Sequence, residues 1–154
     1  MSDDMFAQFI ELEHRIAEIE RRGRNRKRQG TITEVEAGNT GRYRVKLSEP
    51  GGKPYLTGWL KTRQMGAGGV KIDVLLNVGE QVDVVSDNGD LTDAQIDLST
   101  YSDANPRANT TSPLHIKIGD SVLTMSGDGH TITSKNHTVS STNTTITASS
   151  GHLN

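Results

Sequence analysis

Hydrophobic residues recur at a constant spacing of seven near the end of the chain. The segments His130 to Asn136, His137 to Asn143 and Thr144 to Ser150 align with one another, and a shorter segment follows them. One apolar residue occupies the same place in each segment, and the same register continues backwards along the chain. The series comprises Ile118, Met125, Ile132, Val139, Ile146 and Leu153.

This spacing predicts short strands separated by corners. A coiled coil needs two apolar positions per heptad, whereas each repeat offers one amid Thr, Ser, Asn and Gly. Because side chains of a strand alternate with a period of two, residues seven apart on a flat strand face opposite ways. Each repeat therefore needs a corner after which its apolar residue again points to the same side, as in a β-solenoid. Residues that tolerate such corners are Gly127, Gly129, Asn136, Asn143 and Gly151.

The repeats also predict that several chains assemble together. One apolar side chain is too little to offset the entropy of ordering a whole repeat, so the apolar line is expected to meet copies of itself. This indicates an intertwined homo-oligomer. The alternative is a disordered tail rich in Ser and Thr, which composition alone would favour. The shared register of the apolar residues and of Thr131, Thr138 and Thr145 favours order.

The start of the chain has a helical pattern instead. Apolar residues there alternate between spacings of four and three, which is typical of a coiled-coil stripe. This predicts an amphipathic helix from about Asp3 to Arg22 that ends near Gly23 and either lies on its own domain or packs against symmetry mates or a partner. We interpret the basic run Arg21 to Arg28 as a solvated linker, although it could contact phosphate. The stripe comprises Met5, Phe9, Leu12, Ile16 and Ile19.

Between Gly30 and Tyr101 the pattern changes to that of strands. Tyr43, Val45 and Leu47 alternate with polar residues, and turns rich in Gly, Pro and Asn separate the apolar runs. Five or six short strands in this length predict a small closed β-barrel. Further strands are predicted at Leu56–Leu60, Ile72–Leu76, Val82–Val85 and Ala94–Leu98, and another begins at Leu114 after a connector.

Composition argues against an enzyme. The 154 residues carry a net charge of -2, contain no Cys and are only 32% hydrophobic, which leaves little for a large core. The absence of Cys excludes disulfides and thiolate chemistry and fits a reducing cytosol. No Ser-His-Asp order, metal-ligand cluster, signal peptide or membrane-spanning run is present in the sequence. Paired carboxylates would have to come from Asp87, Asp90, Asp93 and Asp97, which lie in a turn and at a strand end.

Four strings carry a family resemblance. They are Trp59-Leu60, the VGEQV of residues 78–82, Val84-Val85-Ser86 and the YSDANP of residues 101–106, and they are similar to those of the baseplate assembly protein V, or tail spike, family of contractile-tailed phages. The resemblance implies a mostly β homotrimer in which a helix precedes an oligonucleotide/oligosaccharide-binding (OB) barrel and an intertwined triple-stranded β-helix follows it. The expected domains are 1–28 (helix and basic linker), 29–106 (barrel) and 107–154 (β-helix spike).

The resemblance also implies a function and a set of partners. It predicts a non-enzymatic central spike of the virion tail baseplate, assembled in the host cytoplasm. Its partners would be two further copies of itself, tail tube and hub proteins and, transiently, the host outer membrane. The alternative is an OB-barrel binding module for nucleic acid or glycan with a flexible tail. Because the stacking candidates Tyr43, Tyr55 and Trp59 are few and scattered, no nucleic-acid partner is expected.

The end of the chain departs from the family pattern. Several spikes of that family end in a His-x-His motif that binds iron, and this sequence has none. His152, Leu153 and Asn154 are instead expected to form a tip platform, either for a separate capping protein or in a fibre that closes without metal. His130 and His137 share strand parity with Ile132 and Val139 and could form axial rings that hold a metal or an anion. Solvent-facing or hydrogen-bonded His is commoner, so no cofactor is expected.

Overall fold

A helix and two separate β-sheets make up the structure, a computed structural model that describes residues 2–48 and 52–147. The chain divides into two units, Met1–Pro106 and Arg107–Asn154. The prediction of a mostly β protein with one N-terminal helix is confirmed. No helix in the described part of the chain combines the length and hydropathy needed to cross a bilayer.

The helix α1 spans Ser2–Asn25 and so continues through Gly23, where it was predicted to stop. Glu18 supports this extra turn, because its carboxylate accepts hydrogen bonds from Arg21 Nε at 2.7 Å and from Arg22 Nε at 2.7 Å. These bonds, with that of Arg21 the larger cause, lower the pKa of Glu18 to about 2. Basic residues in the last turn also suit the negative end of the helix dipole. Together these interactions offset the low helix propensity of Gly23.

The basic run after the predicted helix is not a linker. Its first part belongs to α1, and strand β1 already begins at Lys27. Lys27 Nζ lies 3.0 Å from Asp83 Oδ2 on the neighbouring strand, and the Arg28 guanidinium donates to Ser48 O at 2.7 Å. A basic stretch can enter a strand because long cationic side chains keep their heads in water while the backbone joins the ladder.

The first sheet contains six strands and curls back on itself. Its order is β3-β2-β1-β5-β6, and β4 also pairs with β2. Thr62, next to β4, forms a parallel bridge with Ile96 of β6, and Arg63 N donates to Ile96 O at 2.8 Å. The end of β4, which pairs with the same strand as β3, therefore approaches β6 at the other edge of the sheet. The strands are β1 Lys27–Val35, β2 Arg42–Leu47, β3 Tyr55–Leu56, β4 Leu60–Lys61, β5 Gln81–Val85 and β6 Gln95–Thr100.

The core of this unit lies inside the curled sheet. The predicted alternation of β2 is confirmed, since Tyr43, Val45 and Leu47 are all fully buried. Tyr43 is therefore a core residue and no stacking platform. Its hydroxyl donates to Asn39 Oδ1 at 3.3 Å and accepts from Leu76 N at 3.1 Å. The other buried hydrophobic residues are Ile32, Leu60, Leu76, Val82, Val84, Ala94 and Ile96.

Two predicted strands differ in the structure. The run Leu56–Leu60 is divided into β3 and β4, because the buried Thr57 turns inward and its Oγ1 accepts a hydrogen bond from Val45 N at 3.0 Å. The run Ile72–Leu76 forms no strand. It belongs to a loop bridged only at Ala67 and Lys71, where the backbone has no ladder partner from the sheet. Its apolar residues other than Leu76 are exposed.

The end of α1 rests on the turn of residues 86–92. Gly89 in this turn has φ +76°, and a Cβ atom added to it would overlap the carbonyl of Arg22. The turn is braced internally, because Ser86 Oγ donates to Asp90 O at 2.8 Å. Asn25, the last residue of the helix, is buried. The close approach of the two backbones therefore requires glycine at position 89.

We expect Gly89→Ala to release the end of α1 from the first sheet. The new residue would have to keep a left-handed conformation, at a cost of about 1–2 kcal/mol, and its Cβ would also collide with Arg22. Gly79→Ala is the matched control, because Gly79 has φ +92° with no other atom within 4 Å of an added Cβ. Limited trypsin digestion should cut within Arg21–Arg26 faster in Gly89→Ala alone. Equal cutting of both variants would contradict the contact.

The second sheet is a three-stranded antiparallel meander in the order β7-β8-β9. Its strands are β7 Leu114–Ile118, β8 Ser121–Ser126 and β9 Gly129–Thr133. The prediction that a strand begins at Leu114 is confirmed. Residues 134–147, which carry later repeats, form no strand in the single chain.

Candidate functional site: the apolar face of the second sheet

Cross-strand pairing gathers the apolar residues of the second sheet on one side. Ile116 lies opposite Leu123, which in turn lies opposite Ile132. Directly opposed residues of antiparallel strands point to the same side, and every second residue along each strand joins them. The resulting surface, which we call the apolar face, comprises Leu114, Ile116, Ile118, Leu123, Met125 and Ile132.

Two-residue turns keep the sevenfold register on this face. Ile118 pairs with Ser121 across Gly119-Asp120, and Gly119 has φ +56° at the first turn position, which a type II′ hairpin gives to glycine. Gly127 and Asp128 form the next turn, at a predicted corner. Each of these turns pairs even-numbered residues of one strand with odd-numbered residues of the next, so an odd spacing of seven brings successive members of the series to the same side. The corner at Gly119 was missed, although a Gly-Asp pair after an alternating run is a hairpin signal.

The apolar face is uncovered in the single chain. The exposed fraction ranges from 44% for Met125 to 78% for Ile118, and only Leu123 is half-buried. None of the described residues from 107 to 147 is buried. A small sheet without a core lacks the apolar burial that would offset its loss of conformational entropy. The described residues of this unit therefore leave the apolar face without a cover of their own.

The structure brings together only part of the predicted trimer core. Ile118, Met125 and Ile132 lie on three successive strands of the apolar face. Val139 and Ile146 are exposed in the segment without strands. Leu153 lies outside the described residues, as do the other members of the predicted tip platform, His152 and Asn154. Sequence reasoning missed Leu114, Ile116 and Leu123 as members of the same surface, although their alternation along the strands was visible.

The two candidate axial histidines have different surroundings. His130 lies directly opposite Met125 and so points to the side of the apolar face, whereas His137 is exposed beyond the last strand. Within residues 2–48 and 52–147 of one chain, no group of three His, Asp or Glu side chains could hold a metal ion. A ring around a threefold axis takes one residue from each of three chains, so ion binding at these positions stays a prediction.

The VGEQV and YSDANP strings meet in the first unit. Asn105 Nδ2 donates to Gly79 O at 3.1 Å, and Ser99 Oγ donates to Glu80 Oε2 at 3.3 Å. The backbones of Ser102 and Asn105 close a turn through reciprocal hydrogen bonds of 3.0 and 3.1 Å. A shallow cavity of about 320 Å³ lies between the two strings. The Asn105 amide thus ties the segment after β6 to the loop before β5, and the Ser99 hydroxyl ties β6 itself to that loop.

Arg44 covers one of the two exposed aromatic residues near β3 and β4. Tyr55 and Trp59 are 44% and 42% exposed. Arg44 lies over Trp59, with its guanidinium carbon 5.8 Å from the ring centre. The same guanidinium donates to Thr57 O at 3.1 Å and to Glu34 Oε1 at 3.2 Å. Arg44 is therefore held by groups of its own chain.

Comparison with known proteins leaves the function to be argued from this geometry. No protein-family model matches the sequence, and no curated protein matches it significantly.

Proposed function

We propose that this protein is a structural, non-enzymatic homotrimer that serves as the central spike of a contractile phage tail baseplate. In this proposal the second unit is the shaft, an intertwined β-helix that pierces the host outer envelope. The observation that carries the proposal is the apolar face, which is exposed on a unit with no buried residue between 107 and 147.

The apolar face supplies enough energy for assembly. Burying an aliphatic side chain of this size fully contributes about 1.5–3 kcal/mol. Because these side chains are already about half covered in the single chain, six of them contribute roughly 5–9 kcal/mol per protomer if three faces meet on an axis. The opposite side of the sheet carries mostly polar residues, Lys117, Thr124, Thr131 and Thr133, together with the half-buried His115 and Val122.

The later repeats fit the same assembly. Residues 134–147 have the composition of the preceding repeats but form no strand in one chain. A strand needs a neighbour for its backbone N–H and C=O groups, and an intertwined β-helix supplies that neighbour from another chain. Force along such a shaft would be shared by many interchain hydrogen bonds. The tip platform at His152, Leu153 and Asn154 would meet a separate capping protein or close the shaft itself.

The first unit is proposed as an OB-type barrel that acts as the collar. This assignment is supported by the pairing of β1 with both β2 and β5 and by the parallel approach of Thr62 to Ile96. The loop of residues 64–78 offers a contact surface for tail tube or hub proteins. Its apolar side chains Met65, Val70 and Val74 are 89%, 71% and 61% exposed. The proposed place of the trimer is the virion tail baseplate, after assembly in the host cytoplasm.

A second candidate function is a binding module for nucleic acid. The observation that favours it is a cleft of about 750 Å³ in the first unit, lined in part by Arg21, Arg24, Arg28 and Tyr55. Asp90 also lines this cleft, and Glu18 pairs with Arg21, which weakens its positive potential. Tight, salt-dependent binding of single-stranded DNA by a monomer would favour this candidate.

The mass of the protein in solution tests the proposed function. Sedimentation equilibrium or light scattering should give three times the chain mass of 16.7 kDa. The second unit should also resist limited proteolysis, because its strands would be covered by neighbouring chains. A monomeric mass, or rapid trimming of everything after Tyr101, would overturn the proposal.

A further inference from the structure

The helix α1 carries an uncovered apolar seam. Its contacts with the first sheet lie at its C-terminal end, near Arg22 and β1. Every member of the seam is more than half exposed, from 52% for Ile16 to 68% for Ile19. In heptad notation Phe9 and Ile16 occupy a positions, whereas Met5, Leu12 and Ile19 occupy d positions.

We propose that α1 forms a parallel, in-register coiled coil with the same helix of two further copies of this chain. The number three rests on the proposed function, whereas the parallel orientation follows from charges on the helix itself. The assembly would then be tied together at both ends of the chain, by α1 as well as by the apolar face.

The charges that flank the seam are complementary only between parallel copies. Arg15 occupies a g position, and Glu20 occupies the e position of the next heptad. In a parallel coiled coil, these two positions on neighbouring helices face each other, so Arg15 of one copy meets Glu20 of the next. Gln8 and Glu13 form the corresponding polar pair one heptad earlier. An antiparallel arrangement would bring e positions together, with Glu13 facing Glu20, and like charges there are repulsive.

Arg15 can change partner at little cost. In the single chain its guanidinium lies 3.2 Å from Glu11 Oε1, one turn earlier on the same helix. The two side chains are 75% and 68% exposed. Exposed ion pairs of this kind contribute between about 0 and 1 kcal/mol. Exchanging the pair within a helix for a pair between helices therefore does not oppose assembly.

The width of the seam suits more than two helices. Phe6 occupies an e position beside the seam and is 69% exposed. An apolar residue at e broadens the stripe beyond the narrow a and d seam of a two-stranded coil. A third helix would cover this side chain, which a dimer would leave partly in water.

The charged residues of α1 argue against a membrane as the surface that covers the apolar seam. Helices that lie on anionic membranes carry Lys and Arg on their polar face. Here the e positions beside the seam carry Glu13 and Glu20, Glu11 and Glu18 lie further round the helix at c positions, and the Arg residues other than Arg15 lie near the C-terminal end. An anionic lipid surface would repel these carboxylates along most of the seam, whereas a second copy of α1 presents Arg15 to Glu20.

Disulfide trapping in the full-length protein tests the proposal. The chain has no native Cys, so a single introduced thiol reports one position. Met5→Cys lies in the seam at a d position, where parallel copies approach closely, and mild oxidation should give a covalent dimer in most of the protein. Ala7→Cys is the matched control, because it lies at an f position on the far side and should stay uncrosslinked. Equal crosslinking of both variants would overturn the proposal.

A mixed experiment tests the orientation. Differently tagged Met5→Cys and Ile19→Cys chains are refolded together and then oxidised. In-register parallel helices should give only like-with-like crosslinks, since the two positions lie far apart along the axis. A dominant crosslink between the two kinds of chain would indicate antiparallel helices and overturn the proposal.

The mass of the same variants under reducing conditions separates this proposal from the proposed function. A trimeric mass without the Met5→Cys crosslink would overturn the coiled coil and leave the spike intact. A monomeric mass would overturn the spike and the coiled coil together. Sedimentation of the uncrosslinked Met5→Cys chain with phosphatidylglycerol vesicles would assign the seam to a membrane and also overturn the coiled coil.

Discussion

Ile132→Asp is expected to abolish the trimeric shaft. Ile132 lies in β9 opposite Leu123, on the side of the apolar face, and three copies of it would converge in the proposed shaft. A carboxylate buried there without a partner costs several kcal/mol per chain, and the three charges would also repel one another. Detergent-resistant oligomers should disappear from gels of unheated protein, and limited proteolysis should trim the second unit rapidly, even where α1 still holds the chains together.

Thr131→Asp is the matched control for this result. Thr131 is the preceding residue of the same strand, and it pairs with Thr124 on the opposite side of the sheet. The variant places the same charge in the same strand, but on the surface that the proposed shaft exposes to water. It should keep its detergent-resistant oligomers and its protease-resistant second unit. If Ile132→Asp keeps both as well, the apolar face lies outside the assembly and the proposed shaft is wrong.

Gly30→Ala is expected to destabilise the first sheet strongly. Gly30 is buried in β1, where it pairs with Leu47 on one side and Val82 on the other. A Cβ atom at this position would lie 2.6 Å from Val45 Cγ1 and 2.7 Å from the backbone oxygen of Lys46. The backbone oxygen is held in the ladder and cannot yield as a flexible side chain would. The cost of such overpacking is about 2–3 kcal/mol.

The melting temperature measures this effect. For a domain of about 100 residues, the expected loss corresponds to a Tm lower by roughly 10–20 °C. Gly58→Ala is the control, because a Cβ atom at Gly58 would have no neighbour within 4 Å and its φ is not positive. Both variants are compared with the unaltered protein at one protein concentration, since assembly also raises Tm. Equal melting of the two variants would mean that β1 does not approach β2 as closely as the structure has it.

The spacing of apolar residues within a single segment was enough to predict some of the helices and strands. The stripe from Met5 to Ile19 indicated α1, and the alternation of Tyr43, Val45 and Leu47 indicated β2. Both patterns lie within one element, so they can be read without knowing the partners. Composition and spacing also pointed to the last third of the chain as a segment that cannot fold alone, and no residue described there is buried.

Other features depended on contacts between distant parts of the chain. The last turn of α1 required Glu18 beside Arg21 and Arg22 and a turn at Gly89 that accepts the helix end. The run Ile72–Leu76 has the composition of a strand but finds no ladder partner. Strand formation depends on a neighbouring backbone, which single-segment patterns do not report.

The sequence by itself determined the spacing that Ile118, Met125 and Ile132 share, because that spacing is a property of residue order. Only the tertiary structure decided that Leu114, Ile116 and Leu123 join them on one apolar face. The physical reason lies in the two-residue turn at Gly119-Asp120, which sets the register of β7 against β8. A slip of one residue in that register would turn half of the face to the other side of the sheet.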